Sequence, residues 1–213
     1  MIESFENAIQ LVTTGICTVI ALRKGIRMIS RAWIILALAS GVFFLGDLYW
    51  ELFLALYGRT PAYSYIPYLS WYASYLFLLL LLVELRSENT GSRHRKVLWI
   101  IPVFAAGMCV FYLQWGDWIG NILTAVFMSL LLWYACDRLL FLHEQKRIHP
   151  GRAFGEGWFC AAVLLFCLTE YASWTASCFG PYDTLAHPYI WFDTLLSLVF
   201  LLFPAALGKA VKR

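Results

Sequence analysis

Charge is what this 213-residue chain has least of: charged residues make up 14% of it, where soluble domains carry about a quarter. Hydrophobic residues reach 62% and mean hydropathy is +0.70. A core of this size cannot hide that much apolar surface from water. A soluble enzyme, a disordered chain and a cytosolic nucleic-acid binder are therefore excluded, despite a pI near 8.5. Glycine-rich phosphate loops and the G-x-G-x-x-G, G-x-S-x-G and H-E-x-x-H patterns are also missing, so no nucleotide, serine-hydrolase or zinc-peptidase chemistry is signalled. None of the six cysteines (Cys17, Cys109, Cys136, Cys160, Cys167, Cys178) forms a C-x-x-C or a Cys/His ligand spacing. They read as small apolar fillers, and neither a metal nor a cofactor is expected. The start, Met-Ile-Glu-Ser-Phe-Glu, lacks the basic segment and cleavage site of a signal peptide, so the first apolar run is expected to stay as a helix.

What is present is a series of long apolar runs. A helix needs about 20 residues to cross about 30 Å of hydrocarbon. Seven runs meet that length, at 6–23, 32–57, 64–85, 97–114, 118–142, 156–179 and 187–208. RKGIRMISR, GRTPAYSY (with Gly58 and Pro61 as breakers), SENTGSRHRK, QWGD, HEQKRIHPGR and FGPYDTLAHP divide them. The expected fold is an all-α membrane protein with seven transmembrane helices in a single domain, 1–213. About five residues follow the last run, so no cytoplasmic domain is expected.

Lys and Arg mark the cytoplasmic side of a membrane protein. Arg23, Lys24, Arg27 and Arg31 join the first two runs, and Arg86, Arg93, Arg95 and Lys96 the third and fourth. Arg138, Lys146, Arg147 and Arg152 join the fifth and sixth, and Lys209, Lys212 and Arg213 close the chain. Fifteen of the sixteen basic residues thus share one side, and only Arg59 lies on the other. The bias predicts a plasma-membrane protein with its N-terminus outside and its C-terminus in the cytoplasm. Eight acids, Glu3, Glu6, Asp47, Glu51, Asp117, Glu170, Asp183 and Asp193, fall in the outer half. The topology rule does not require that excess, and it would favour a cationic visitor.

The segment from Leu45 (LGDLYWELFLALYGRTPAYSYIPYLSWYASYLFLLL) parallels the one from Leu168 (LTEYASWTASCFGPYDTLAHPYIWFDTLLSLVFLLF). Asp47 matches Glu170, Gly58 approximates Gly180, Pro67-Tyr68 matches Pro188-Tyr189, and Tyr72 matches Asp193. Both segments pair helices in the same orientation. The expectation is a parallel 3-1-3 repeat: 1–86, then a linking helix at 97–114, then 118–208. Sites of such repeats lie at the repeat interface.

Ionisable residues inside a span are costly and point to function. At about 1.5 Å per residue, Asp47 falls about 8 Å below the outer surface, Glu170 about 10–12 Å and Asp193 about 9 Å. Glu51 follows Asp47 by one turn. Aromatic residues accompany them: Trp50 between Asp47 and Glu51, the stripe Tyr65, Tyr68, Tyr72, Tyr75, then Trp174 after Glu170 and Tyr189 before Asp193. The candidate ligand-binding set is Asp47, Trp50, Glu51, Tyr68, Tyr72, Glu170, Trp174, Tyr189 and Asp193. Carboxylates among tyrosine and tryptophan faces suit an organic cation, and the same groups could instead satisfy one another within an interfacial aromatic belt. Elsewhere, Asp137-Arg138 is expected to form a snorkelling pair and Asn121 and Thr124 to join helices. Pro102 and Pro204 are candidate kinks, and His187 is expected to be a loop residue.

The Asp47–Trp50 pair, Gly58, Pro61 and the Tyr68–Tyr75 segment, with Glu170, Gly180 and Asp193 closing the pattern, resemble the N-terminal membrane sensor regions of bacterial diguanylate cyclases and some histidine kinases. The resemblance covers about 45–208. It implies a sensor or receptor, and without an output domain such a chain would signal through a partner protein. The arrangement is also similar to the broader opsin/receptor/transporter-like seven-helix group, although no lysine lies in the middle of the seventh run to hold retinal. A second resemblance, carried by Gly46-Asp47 and Glu170, is to membrane lysoplasmalogenases. It implies two carboxylates activating water against a lipid bond. The leading expectation is a stand-alone sensor that meets membrane lipid and a small cationic or amphiphilic ligand. A small-molecule transporter and a lipid hydrolase using Asp47 and Glu170 are the alternatives.

Overall fold

The structure, a computed structural model, describes residues 2–59, 65–86, 95–145, 150–180 and 185–211. Pro61, Glu88, Arg93, Lys146, Arg147, Asp183, Lys212 and Arg213 lie outside them. The described residues form seven α-helices: α1 (Ile2–Met28), α2 (Arg31–Tyr57), α3 (Tyr65–Glu84), α4 (Ile100–Tyr112), α5 (Trp118–Gln145), α6 (Pro150–Ser177) and α7 (Pro188–Val211). Turns of 3-10 helix, Arg95–Trp99 and Leu113–Trp115, flank α4. Among the described residues seven stretches are long and apolar enough to cross a membrane, with α4 reaching that length through its flanking turns. The chain is a multi-pass, all-helical membrane protein, the architecture in which each span satisfies its own backbone hydrogen bonds.

The first boundary differs from expectation. RKGIRMISR is mostly helix: α1 continues through Arg23, Lys24 and Arg27. Long basic side chains reach back along a helix while their charges stay in water, so charge alone does not end it. The reversal is confined to Ile29, at φ 49°, and Ser30, whose N–H bonds to the Gly25 carbonyl at 3.1 Å. That six-to-one bond is a Schellman closure. α2 ends as expected at Gly58, which takes φ 63° and bonds to the Leu54 carbonyl at 2.9 Å. Pro204 stays inside a continuous α7. Pro102 falls in the first turn of α4, where a missing N–H costs little.

The helices close into a ring: α1 packs on α2, α2 on α3, α3 on α5, α5 on α6, α6 on α7, and α7 back on α1. α4 packs outside the ring against α5. Its Tyr112 hydroxyl also donates to the Tyr171 carbonyl of α6, at 3.1 Å. The ring interior is filled by Trp33, Leu36, Leu78, Leu81, Phe159, Phe166, Phe200 and Phe203, all buried. Val103, Val110, Ile119 and Leu198 remain exposed on the outside, as side chains that face lipid must be.

Arg23, Lys24, Arg27, Arg86, Lys96, Arg138 and Lys209 gather at one end of the bundle, hereafter the basic end. There Asp137 and Arg138 each have a partner on another segment of the chain. Neighbours on a helix point about 100° apart, so each turns to a different helix. Asp137 meets Arg86 at 3.5 Å, and Arg138 pairs with Glu156 across the α5–α6 interface. Both are buried rather than extended toward water.

Candidate ligand-binding site

At the opposite end, α1, α2, α3, α6 and α7 surround a cavity of about 200 Å³. α2 brings Asp47 and Trp50 to it. Gly46 is the enabling residue, since a Cβ there would sit 2.9 Å from Ser70 Cβ and 3.3 Å from Trp71 Nε1. With no Cβ in the way, α3 comes close enough for Trp71 Nε1 to donate to Asp47 Oδ1 at 3.1 Å. α6 brings Glu170, whose Oε1 accepts from the Tyr75 hydroxyl at 2.8 Å. α7 brings Tyr189 and Asp193. Asp47, Glu170 and Asp193 are 4%, 5% and 6% exposed, whereas Trp50, Tyr68, Trp174 and Tyr189 are half-buried. The acids thus lie at the inner end of the cavity and the aromatics toward its mouth. Phe43 and Leu196 complete the wall.

Seven of the nine candidate residues, Asp47, Trp50, Tyr68, Glu170, Trp174, Tyr189 and Asp193, line this one cavity. Glu51 and Tyr72 do not. Glu51 keeps a buried Oε1 with no hydrogen-bond partner among the described residues, but away from the lining. Tyr72 is turned by the pitch of α3. At about 100° per residue, Tyr68, Trp71 and Tyr75 share an arc of about 60°, and Tyr72 lies about 40° further round. Its hydroxyl therefore donates to the Gly120 carbonyl of α5 at 3.0 Å, and its ring stacks on Phe127.

Sequence reasoning missed Glu6, Asn7 and Gln10 of α1, which also line the cavity. Glu6 and Gln10 are one turn apart on a face, and that spacing was the available signal. It was masked by Thr13, Thr14 and Thr18, which make the whole run look polar. It also missed Trp71, which no charge or repeat marks. Outside the cavity, Asp117 caps the start of α5, with Oδ1 accepting from the Gly120 N–H at 3.2 Å. Asn121 Nδ2 holds the Gly116 carbonyl at 2.7 Å and the Tyr112 carbonyl at 3.3 Å. His187 sits in the loop before α7, with Nε2 2.8 Å from the Phe179 carbonyl and Nδ1 accepting from the Tyr189 N–H at 3.3 Å.

The chemistry follows from which groups are satisfied. Asp47 Oδ2 and Asp193 Oδ2 are buried and have no hydrogen-bond partner among the described residues. Among the described residues no Lys or Arg lines the cavity, and Asp47 feels the charges of Asp193, Glu170 and Glu51. Tyr68 bridges the aromatic wall, with ring centroids 5.5 Å from Trp71 and 6.4 Å from Trp174. Among the described residues no three His, Cys, Asp or Glu side chains are grouped to hold a metal ion. Such a cavity can take donors to its carboxylates and a cation to its ring faces.

No family model matches the chain, and no curated protein and no solved structure matches it.

Proposed function

We propose that the chain is a plasma-membrane sensor or receptor that binds a small cationic ligand in this cavity from the outside and passes the change to a partner protein. The observation that carries the reading is that, among the described residues, Asp47 Oδ2 and Asp193 Oδ2 are buried without a hydrogen-bond partner in a cavity walled by aromatic rings and lined by no basic side chain. Leaving such acceptors unmet costs about 1–3 kcal/mol each, and a ligand with N–H donors and positive charge would meet them. The basic end supports an orientation with that end in the cytoplasm. The packing order, with α1–α2–α3 and α5–α6–α7 each contiguous and joined by α3–α5 and α7–α1, supports two parallel halves. A compact cation suits the volume better than a long amphiphile. Transport would need a polar path onward, but below the acids the ring is filled by Phe166, Phe200 and Phe203.

Isothermal titration of the purified chain in lipid nanodiscs with methylammonium and tetramethylammonium tests the reading. Saturable binding is expected for at least one, weakened by about 1–3 kcal/mol in Asp47→Asn or Glu170→Gln, the range for charge-assisted hydrogen bonds. Release of lipid fragments on incubation, lost in the same variants, would instead establish the hydrolase.

A further inference from the structure

The three acids of the cavity are not equally supplied with donors. Trp71 Nε1 donates to Asp47, and the Tyr75 hydroxyl donates to Glu170. Each bond helps its carboxylate to bear a charge. Asp193 is different. Its backbone carbonyl accepts from Ser197, but among the described residues no group donates to its carboxyl, whose Oδ2 is buried. A charge on Asp193 also acts on both Asp47 and Glu170. The other titratable groups lining the cavity are Glu6 of α1, Tyr68 and Tyr75 of α3 and Tyr189 of α7, and none of them is a base. Glu51, one turn beyond Asp47, adds a further negative charge. Asn7 Nδ2 on the same lining is buried without a partner among the described residues, but a neutral amide balances no charge. Charge on a buried carboxyl that has neither donor nor counter-ion, beside like charges, is costly, and a proton removes it.

From this arrangement we infer that Asp193 carries a proton while the cavity is empty and that an entering cation displaces it. The carboxyl O–H bond breaks, the proton leaves to the outer solution, and the carboxylate left behind balances the charge of the ligand. The inference rests on the cation-receptor reading and adds its regulation: the site exchanges one cation for another. It holds whether the ligand sits on one acid or bridges two. Because binding releases a proton, affinity rises with pH, by up to about tenfold per unit while the empty site is protonated. The receptor therefore answers its ligand less in acid surroundings.

The test uses the full chain in lipid nanodiscs. At neutral pH and without ligand, its infrared spectrum should contain the C=O stretch of a protonated carboxyl, and Asp193→Asn should remove it. Methylammonium added to the unaltered protein should remove the same band, a result independent of how the variant folds. Isothermal titration with methylammonium in phosphate and in Tris, whose heats of ionisation differ, should give heats that differ by the release of about one proton. That difference should vanish in Asp193→Asn. No protonated-carboxyl band in the ligand-free protein, equal heats in the two buffers, or an affinity that follows sodium concentration and not pH would overturn the exchange and leave a cation receptor standing. Proton release that persists in Asp193→Asn would overturn the assignment to this residue. Binding of neither methylammonium nor tetramethylammonium would overturn the receptor reading and the exchange with it.

Discussion

Buried carboxylates in a membrane span are expensive unless something answers them, and each acid here is answered differently. Asp47 has one oxygen held by Trp71 and one open; Glu170 has one held by Tyr75; Asp193 keeps Oδ2 open. Asp47 is therefore the acid whose protein partner is easiest to remove without touching its charge. Trp71→Phe keeps an aromatic ring but deletes the indole N–H. It should lower the unfolding midpoint of the purified protein, by an amount equivalent to about 1–3 kcal/mol. In Asp47→Asn the same change should cost measurably less, because the carboxylate that needed the donor is gone. Equal losses in both backgrounds would show that the bond contributes nothing. The acids were legible in the sequence because charge inside an apolar run stands out. Trp71 was not, because its role depends on Gly46 bringing α3 close, and a glycine in a helix announces no partner.

Helices also cross-link at the basic end, where ion pairs join different segments. Arg138 and Asp137 are neighbours, yet Arg138 ties α5 to α6 through Glu156 and Asp137 meets Arg86 at the end of α3. Adjacency in the sequence does not show that the helix pitch lets the two reach different segments. Removing one partner of a buried ion pair leaves an uncompensated charge and costs about 3–5 kcal/mol, whereas replacing both by apolar groups can be neutral or stabilising. Arg138→Met alone should therefore lower thermal stability sharply in detergent, and Arg138→Met with Glu156→Leu should recover most of the loss. A double variant no better than the single one would place the role of Arg138 outside this pair. The same logic explains the α1 boundary: basic residues that snorkel do not stop a helix, so the end of α1 was legible only in its turn geometry at Ile29 and Ser30.

For the whole molecule, hydropathy and length made all seven spans legible, but not which helices touch. Several spans are apolar on nearly every side, so no stripe tells the face that meets a neighbour from the face that meets lipid. The ring closure of α7 on α1 and the position of α4 outside it are therefore structural findings. The proposed orientation rests on the basic residues, and it decides which solution supplies the ligand. Arg23, Lys24, Arg27, Arg86, Lys96 and Lys209 all belong to the end away from the cavity, and cytoplasmic retention of such residues is what orients short-looped membrane proteins. A C-terminal fusion to green fluorescent protein should fluoresce in the cytoplasm, and a C-terminal alkaline phosphatase fusion should be inactive. Cysteine introduced by Glu3→Cys, in a background where the native cysteines are replaced by alanine or serine, should react with a membrane-impermeant maleimide in intact cells. Arg27→Cys in that background should react only after the membrane is permeabilised. The reverse labelling would place the cavity on the cytoplasmic side. Its carboxylates and rings would still suit a cation, but the ligand would then be an internal metabolite and the protein no sensor of the exterior.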